Sequence, residues 1–89
     1  MVDLAGLKIF VTVVDKGSFT EAAKELHLTQ PAITYKIKNL EEDLNLTLLR
    51  RSKTGVSLTP AGEILYGYAR KIMGLYHDLT RELEEYARG

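Results

Sequence analysis

A chain of 89 residues allows one small domain with at most an appended helix, and a hydrophobic share of 45% suffices for a core without staples. Cysteine is absent, which excludes disulfides, thiolate chemistry and most structural zinc sites. Basic and acidic residues cancel at 12 each, so whole-molecule steering toward a polyanion is modest, although Lys36, Lys38, Arg50, Arg51 and Lys53 gather in one stretch against a single acidic run, Glu41-Glu42-Asp43.

No apolar run approaches the roughly 20 residues that a membrane span needs, and the N-terminus lacks a signal-peptide pattern. A cytoplasmic protein with no membrane partner is therefore expected. His27 and His77 stand far apart without ligand spacing, and neither a nucleophile triad nor a Gly-rich phosphate loop is present. Neither metal, other cofactor nor enzymatic activity is expected.

In chain order, the first helix is predicted from about Asp3 to Lys16. Leu4, Leu7, Phe10, Val11 and Val14 recur at helical spacing, Ile9 and Val13 widen the stripe, and Gly17 stops it. Ser18 and Glu21 then read as a capping box that opens a second helix, whose inward face is Phe19, Ala22, Ala23 and Leu26. The paired alanines predict close approach of another helix, and His27-Leu28 makes the turn.

Thr29 reads as the N-cap of a third helix, with Pro31 tolerated in its first turn because the N–H it lacks has no helical partner there. Ile33, Ile37, Leu40 and Leu44 share a buried face, whereas Gln30, Thr34, Tyr35 and Lys38 point elsewhere. Asn45 suits the left-handed stop. A two-stranded hairpin follows: Leu48 to Arg51, a turn through Ser52-Lys53-Thr54-Gly55, then Val56 to Thr59. Thr59-Pro60 opens a long helix toward Arg88. Within it Leu65, Ala69, Ile72, Tyr76, Leu79, Leu83 and Tyr86 alternate spacings of four and three, a heptad seam that predicts pairing with a second copy.

Two short helices joined tightly, the second opening on a hydroxyl, Gln and Pro, make a helix-turn-helix whose second helix enters a DNA major groove, and the hairpin makes its wing. These residues resemble the DNA-binding domain of LysR-type transcriptional regulators. The likeness runs from Phe10 through Gly17-Ser18-Phe19, Ala22-Ala23, Thr29-Gln30-Pro31-Ala32-Ile33-Thr34 and Arg51 to Leu58-Thr59-Pro60-Ala61-Gly62. It implies a mainly α architecture: a winged helix-turn-helix of three helices plus a two-stranded wing over residues 1–59, followed by a dimerisation linker helix over 60–89. It further implies double-stranded promoter or operator DNA and a homodimer as partners. A larger effector-binding domain normally follows in this family. The chain is accordingly expected to be a fragment, with higher oligomers and any small-molecule effector belonging to the full-length protein.

Carried over by position, the resemblance assigns a phosphate contact to Thr29 and base-edge contacts to Gln30, Pro31 and Thr34. Tyr35 stands where Arg or Lys is usual and cannot make the two-pronged contact with guanine; it either touches DNA or packs on the wing. Lys36 and Lys38 are candidates for phosphate. Arg51 either contacts DNA or pairs with Glu41-Glu42. At the wing tip Thr54 replaces a frequent Arg, leaving Lys53 as the charge. Asn45 and Leu49 replace a usual Gly and Phe. A molybdate-responsive regulator shares this architecture but fits the Gln-Pro-Ala-Ile-Thr stretch less well. The alternative from another class is a winged-helix dimerisation or protein-interaction module that does not bind DNA.

Overall fold

A computed structural model, describing residues 2–89, runs α1 (Leu4–Lys16), α2 (Phe19–Leu26), α3 (Gln30–Leu44), β1 (Leu49–Ser52), β2 (Gly55–Leu58) and α4 (Pro60–Ala87). Each helix starts on a side-chain oxygen that takes an N–H left without a helical partner. Asp3 accepts from Gly6 at 2.7 Å, Ser18 from Glu21 at 3.1 Å, Thr29 from Ala32 at 3.2 Å and Thr59 from Gly62 at 3.0 Å. The return half of the Ser18 capping box is not made, because the Glu21 carboxylate lies 3.3 Å from the Lys24 ammonium instead.

The first three helices stop on left-handed residues: Gly17 at φ 66°, His27 at φ 56° and Asn45 at φ 55°. Glycine takes that conformation freely, whereas His27 carries a steric cost that the sequence pattern did not reveal. Between the helices lies one core of Ile9, Phe10, Val13, Phe19, Ala22, Ala23, Ile33, Ile37, Leu40, Leu48 and Leu49. Ala22 and Ala23 are buried, which lets α2 sit close against its neighbours, as their small size predicts.

The wing is antiparallel, with Leu49 opposite Leu58 and Ser52 opposite Gly55. It begins one residue later than the pattern predicts, and its loop is Lys53-Thr54 alone. Leu48 gives its N–H to the Glu41 carboxylate at 2.7 Å, which ties the approach to β1 onto α3. Gly55 adopts φ 131°, and a Cβ there would stand 3.0 Å from the Gly17 carbonyl oxygen. The tip end of the wing therefore presses against the α1–α2 junction.

Thr59 holds the start of α4 twice over: its hydroxyl caps the helix and also donates to the Thr47 carbonyl at 2.6 Å. Leu65, Tyr66 and Ala69 pack on the body, and beyond them α4 projects away, giving extents of 50 × 25 × 21 Å. The described residues contain no helix long and apolar enough to cross a membrane.

Candidate nucleic-acid interface

Four-residue spacing sets Gln30, Thr34 and Lys38 on one face of α3, with Pro31 and Tyr35 beside them. The opposite face carries Ile33, Ile37 and Leu40 into the core. Gln30, Pro31 and Lys38 are exposed, Thr34 is half-buried, and Tyr35 is 65% exposed. Tyr35 thus stays off the wing. Thr29 spends its hydroxyl as an acceptor for the Ala32 N–H, which leaves the hydroxyl proton and the exposed end of the helix facing outward.

Lys36 departs from this group. It lies beside Asp3, Asn39 and Asp43 on the α1 side of α3, because a step of two residues turns a helical side chain roughly 200° away from Thr34. The sequence expectation grouped it with Lys38; the fold separates them.

Arg51 resolves the other ambiguity. Its guanidinium lies 3.8 Å from the centre of the Phe19 ring and makes no ion pair with Glu41, whose Oε2 accepts from the N–H groups of Leu48 and Leu49. A cation over an aromatic face at an exposed site stabilises by about 0.5–1 kcal/mol. That position sets Arg51 in one groove with Phe19, Thr34, Ile37, Lys38, Glu41 and Leu49. On its other side it faces Ser18 and Thr20 at the start of α2 and Lys53 in the wing loop. Lys38, Arg51 and Lys53 therefore flank the polar face of α3, while Thr54 at the wing tip is held 3.0 Å from the Ser52 hydroxyl. Among the described residues no group of His, Asp or Glu is arranged to hold a metal ion.

The heptad seam of α4 divides. Leu65 and Ala69 face the chain's own body, and Ala69 is fully buried there. Leu65 is half-buried, so of the two only Ala69 is closed to a second copy in this arrangement. Ile72, Tyr76, Leu79, Leu83 and Tyr86 are exposed, and so are Ile64, Tyr68 and Leu75, which the sequence reading left out. The steps through Ile64, Tyr68, Ile72, Leu75 and Leu79 are four, four, three and four, so a second stripe that shares Ile72 and Leu79 with the first is present in the pattern. The body covers one flank of a wide apolar band and leaves the other bare.

A bracing helix, a second helix with a bare polar face and a two-stranded hairpin at its side define a winged helix-turn-helix protein. The sequence model for "Bacterial regulatory helix-turn-helix protein, lysR family" matches residues 4–63, so the chain belongs to that family. This decides between the two winged-helix families weighed from the sequence.

Among relatives, the nitrogen assimilation regulatory protein nac of Escherichia coli is 52% identical over 67 residues, which cover 75% of this chain and 22% of that protein. A probable RuBisCO transcriptional regulator of Cyanidioschyzon merolae is 42% identical over 79 residues, covering 89% of this chain and 26% of that protein. The chain spans about a quarter of the length of these curated relatives. Among solved structures, the BenM DNA-binding domain in complex with the catB site 1 DNA is similar at a TM-score of 0.93 and 38% identity over 99% of both chains. The CbnR DNA-binding domain–DNA complex is similar at 0.85 and 37%, covering 97% of this chain and 99% of that one.

Proposed function

We propose that this chain is the DNA-binding and dimerising part of a transcriptional regulator. Helix α3 enters the major groove, the wing rests on the neighbouring backbone or minor groove, and two copies join along α4. The observation that carries this reading is the uncovered face of α3. Gln30, Tyr35 and Lys38 are open to solvent on a helix whose other side is committed to the core.

Gln30 suits a paired contact to an adenine edge, and Thr34 suits a thymine methyl or a single hydrogen bond. Tyr35 supplies one hydroxyl and an apolar ring at the rim. Thr29, Lys38, Arg51 and Lys53, with Thr54 beside it, serve the phosphates and fix register without reading sequence. The projecting part of α4, from Ile72 through Tyr86 together with Ile64, Tyr68 and Leu75, is the surface that pairs. Small-molecule effectors and higher oligomers belong to the remainder of a longer regulator of the relatives' size. The family match and the bare polar face of α3 both favour this reading over an interaction module without DNA.

Fluorescence polarisation with promoter-like duplexes tests it. Three cations per subunit make six in a dimer, which corresponds to an affinity loss of about 10³ between about 50 and 200 mM salt. Binding that ignores salt, or that is absent at low salt, would return the interaction module as the better account.

A further inference from the structure

Tyr66 on α4 packs its ring against the core and donates its hydroxyl proton to the Asp15 carboxylate on α1, 51 residues away in sequence. The same hydroxyl oxygen accepts from Arg70 at 2.9 Å, and the Arg70 guanidinium lies 3.9 Å from Asp15. The Tyr66 hydrogen bond, with Asp15 adding to it, raises the Arg70 pKa above its ordinary value, so the guanidinium stays charged. Asp15 itself sits on a braced element, since its neighbour Lys16 pairs with Glu25 of α2 at 3.4 Å.

The position of this trio matters more than its strength. Further along α4 the side-chain bonds stay within the helix, Thr80 to the His77 carbonyl and Arg81 to Asp78. Among the described residues, Asp15, Tyr66 and Arg70 thus make the last polar tie between α4 and the body, and the bare stripe starts to leave the body there. From Tyr66 to Tyr86 the helix extends about 30 Å at 1.5 Å per residue. A swing of about 10° at Tyr66 would move the far end by about 5 Å, more than the roughly 3.4 Å of helix axis that one base pair occupies. In a dimer joined along that projecting half, the angle at Tyr66 becomes the distance between the two reading helices.

We propose that Asp15, Tyr66 and Arg70 act as a clasp that fixes the angle between the DNA-reading body and the projecting half of α4, and so sets which separation of half-sites a dimer accepts. The clasp rests on the function proposed above, and its members are positioning residues that touch no DNA. Tyr66→Phe keeps the ring in the core and removes the one oxygen shared by Asp15 and Arg70. Asp15→Asn keeps an acceptor for Tyr66 but removes the charge that attracts Arg70.

The test uses duplexes selected by the wild-type chain from a random pool, then lengthened or shortened by one base pair between half-sites, with an isolated half-site as control. Wild type should bind the selected spacing at least about tenfold tighter than its neighbours. Tyr66→Phe should compress that preference to about twofold, the fivefold difference that an exposed tie of this kind carries, and Asp15→Asn should lie between them. Affinity for the isolated half-site should be unchanged in both variants, although loss of the tie lowers the unfolding midpoint by a few degrees; a purely structural role would weaken the half-site and every spacing alike. A wild-type spacing preference in Tyr66→Phe overturns the clasp alone. Wild type that selects no duplex overturns the proposed function, and the clasp with it.

Discussion

Gly62 is the third residue of α4 and lies buried where that helix crosses the approach to the wing. An alanine Cβ built there would stand 2.1 Å from the Leu48 carbonyl oxygen, 3.0 Å from its carbon and 3.1 Å from Leu58 Cδ2. The obstacle is backbone, and it cannot retreat freely. The Leu48 oxygen accepts from the Thr59 N–H at 3.0 Å, and the Leu48 N–H is held by Glu41 at 2.7 Å. Reaching ordinary contact requires a shift of about 1 Å, which brings overpacking of about 1–3 kcal/mol and weakens a hydrogen bond of about 1 kcal/mol. Alanine's better helix propensity returns about 1 kcal/mol, so Gly62→Ala should destabilise by about 1–3 kcal/mol. For a domain of this size that lowers Tm by roughly 5–20 °C. Gly67→Ala is the internal control, because its Cβ would meet nothing within 4 Å. There only propensity acts, and Tm should rise by about 4–8 °C. Thermal melts by circular dichroism decide, at one protein concentration because dimers melt concentration-dependently. A Gly62→Ala melt within about 2 °C of wild type, or the two variants moving together, would refute the reasoning.

Gln30→Ala should cost about 1–3 kcal/mol of duplex binding and relax the preference at one base position of each half-site, whereas Lys38→Ala should weaken all sequences alike and, with two copies in the dimer, reduce the salt slope by about two. Competition titrations over single-base variants distinguish the two; equal loss on every sequence for Gln30→Ala would remove its reading role. Leu79→Glu places a charge in the exposed stripe of α4 and should give a monomer by sedimentation with the body still folded. A dimer that persists would move the interface elsewhere. Glu41→Gln replaces a carboxylate that accepts from Leu48 and Leu49 with a weaker neutral acceptor and should cost about 1–2 kcal/mol, read as a lower urea midpoint at unchanged slope.

Local chemistry made the elements legible. Ser18, Thr29 and Thr59 cap helices as their position before an apolar run predicts, and Gly17 and Asn45 end helices in the left-handed region. The apolar spacing of α3 put Ile33, Ile37 and Leu40 inside and Gln30, Thr34 and Lys38 outside, which is why most of the candidate face could be named from the chain alone. Choices between partners of equal local merit were not legible. Arg51 could reach Glu41 or Phe19, and only the fold shows that it lies on the Phe19 ring while one Glu41 oxygen accepts from Leu48 and Leu49. Lys36 and Lys38 differ by two residues, yet they face opposite sides of one helix. In α4 the periodicity gave a band wider than one seam, and which flank a body covers depends on helix placement. Leu65 and Ala69 went inward, leaving Ile64, Tyr68 and Leu75 bare. The bond from Tyr66 to Asp15 spans 51 residues and has no sequence signature at all.

The most direct test of the central claim is selection of bound sequences from a random duplex pool by the wild-type chain. Convergence on two half-sites related by two-fold symmetry, about one helical turn apart or a multiple of it, is the result the account predicts. A pool that never converges, or one that converges on a lone site bound by a single copy, would contradict it.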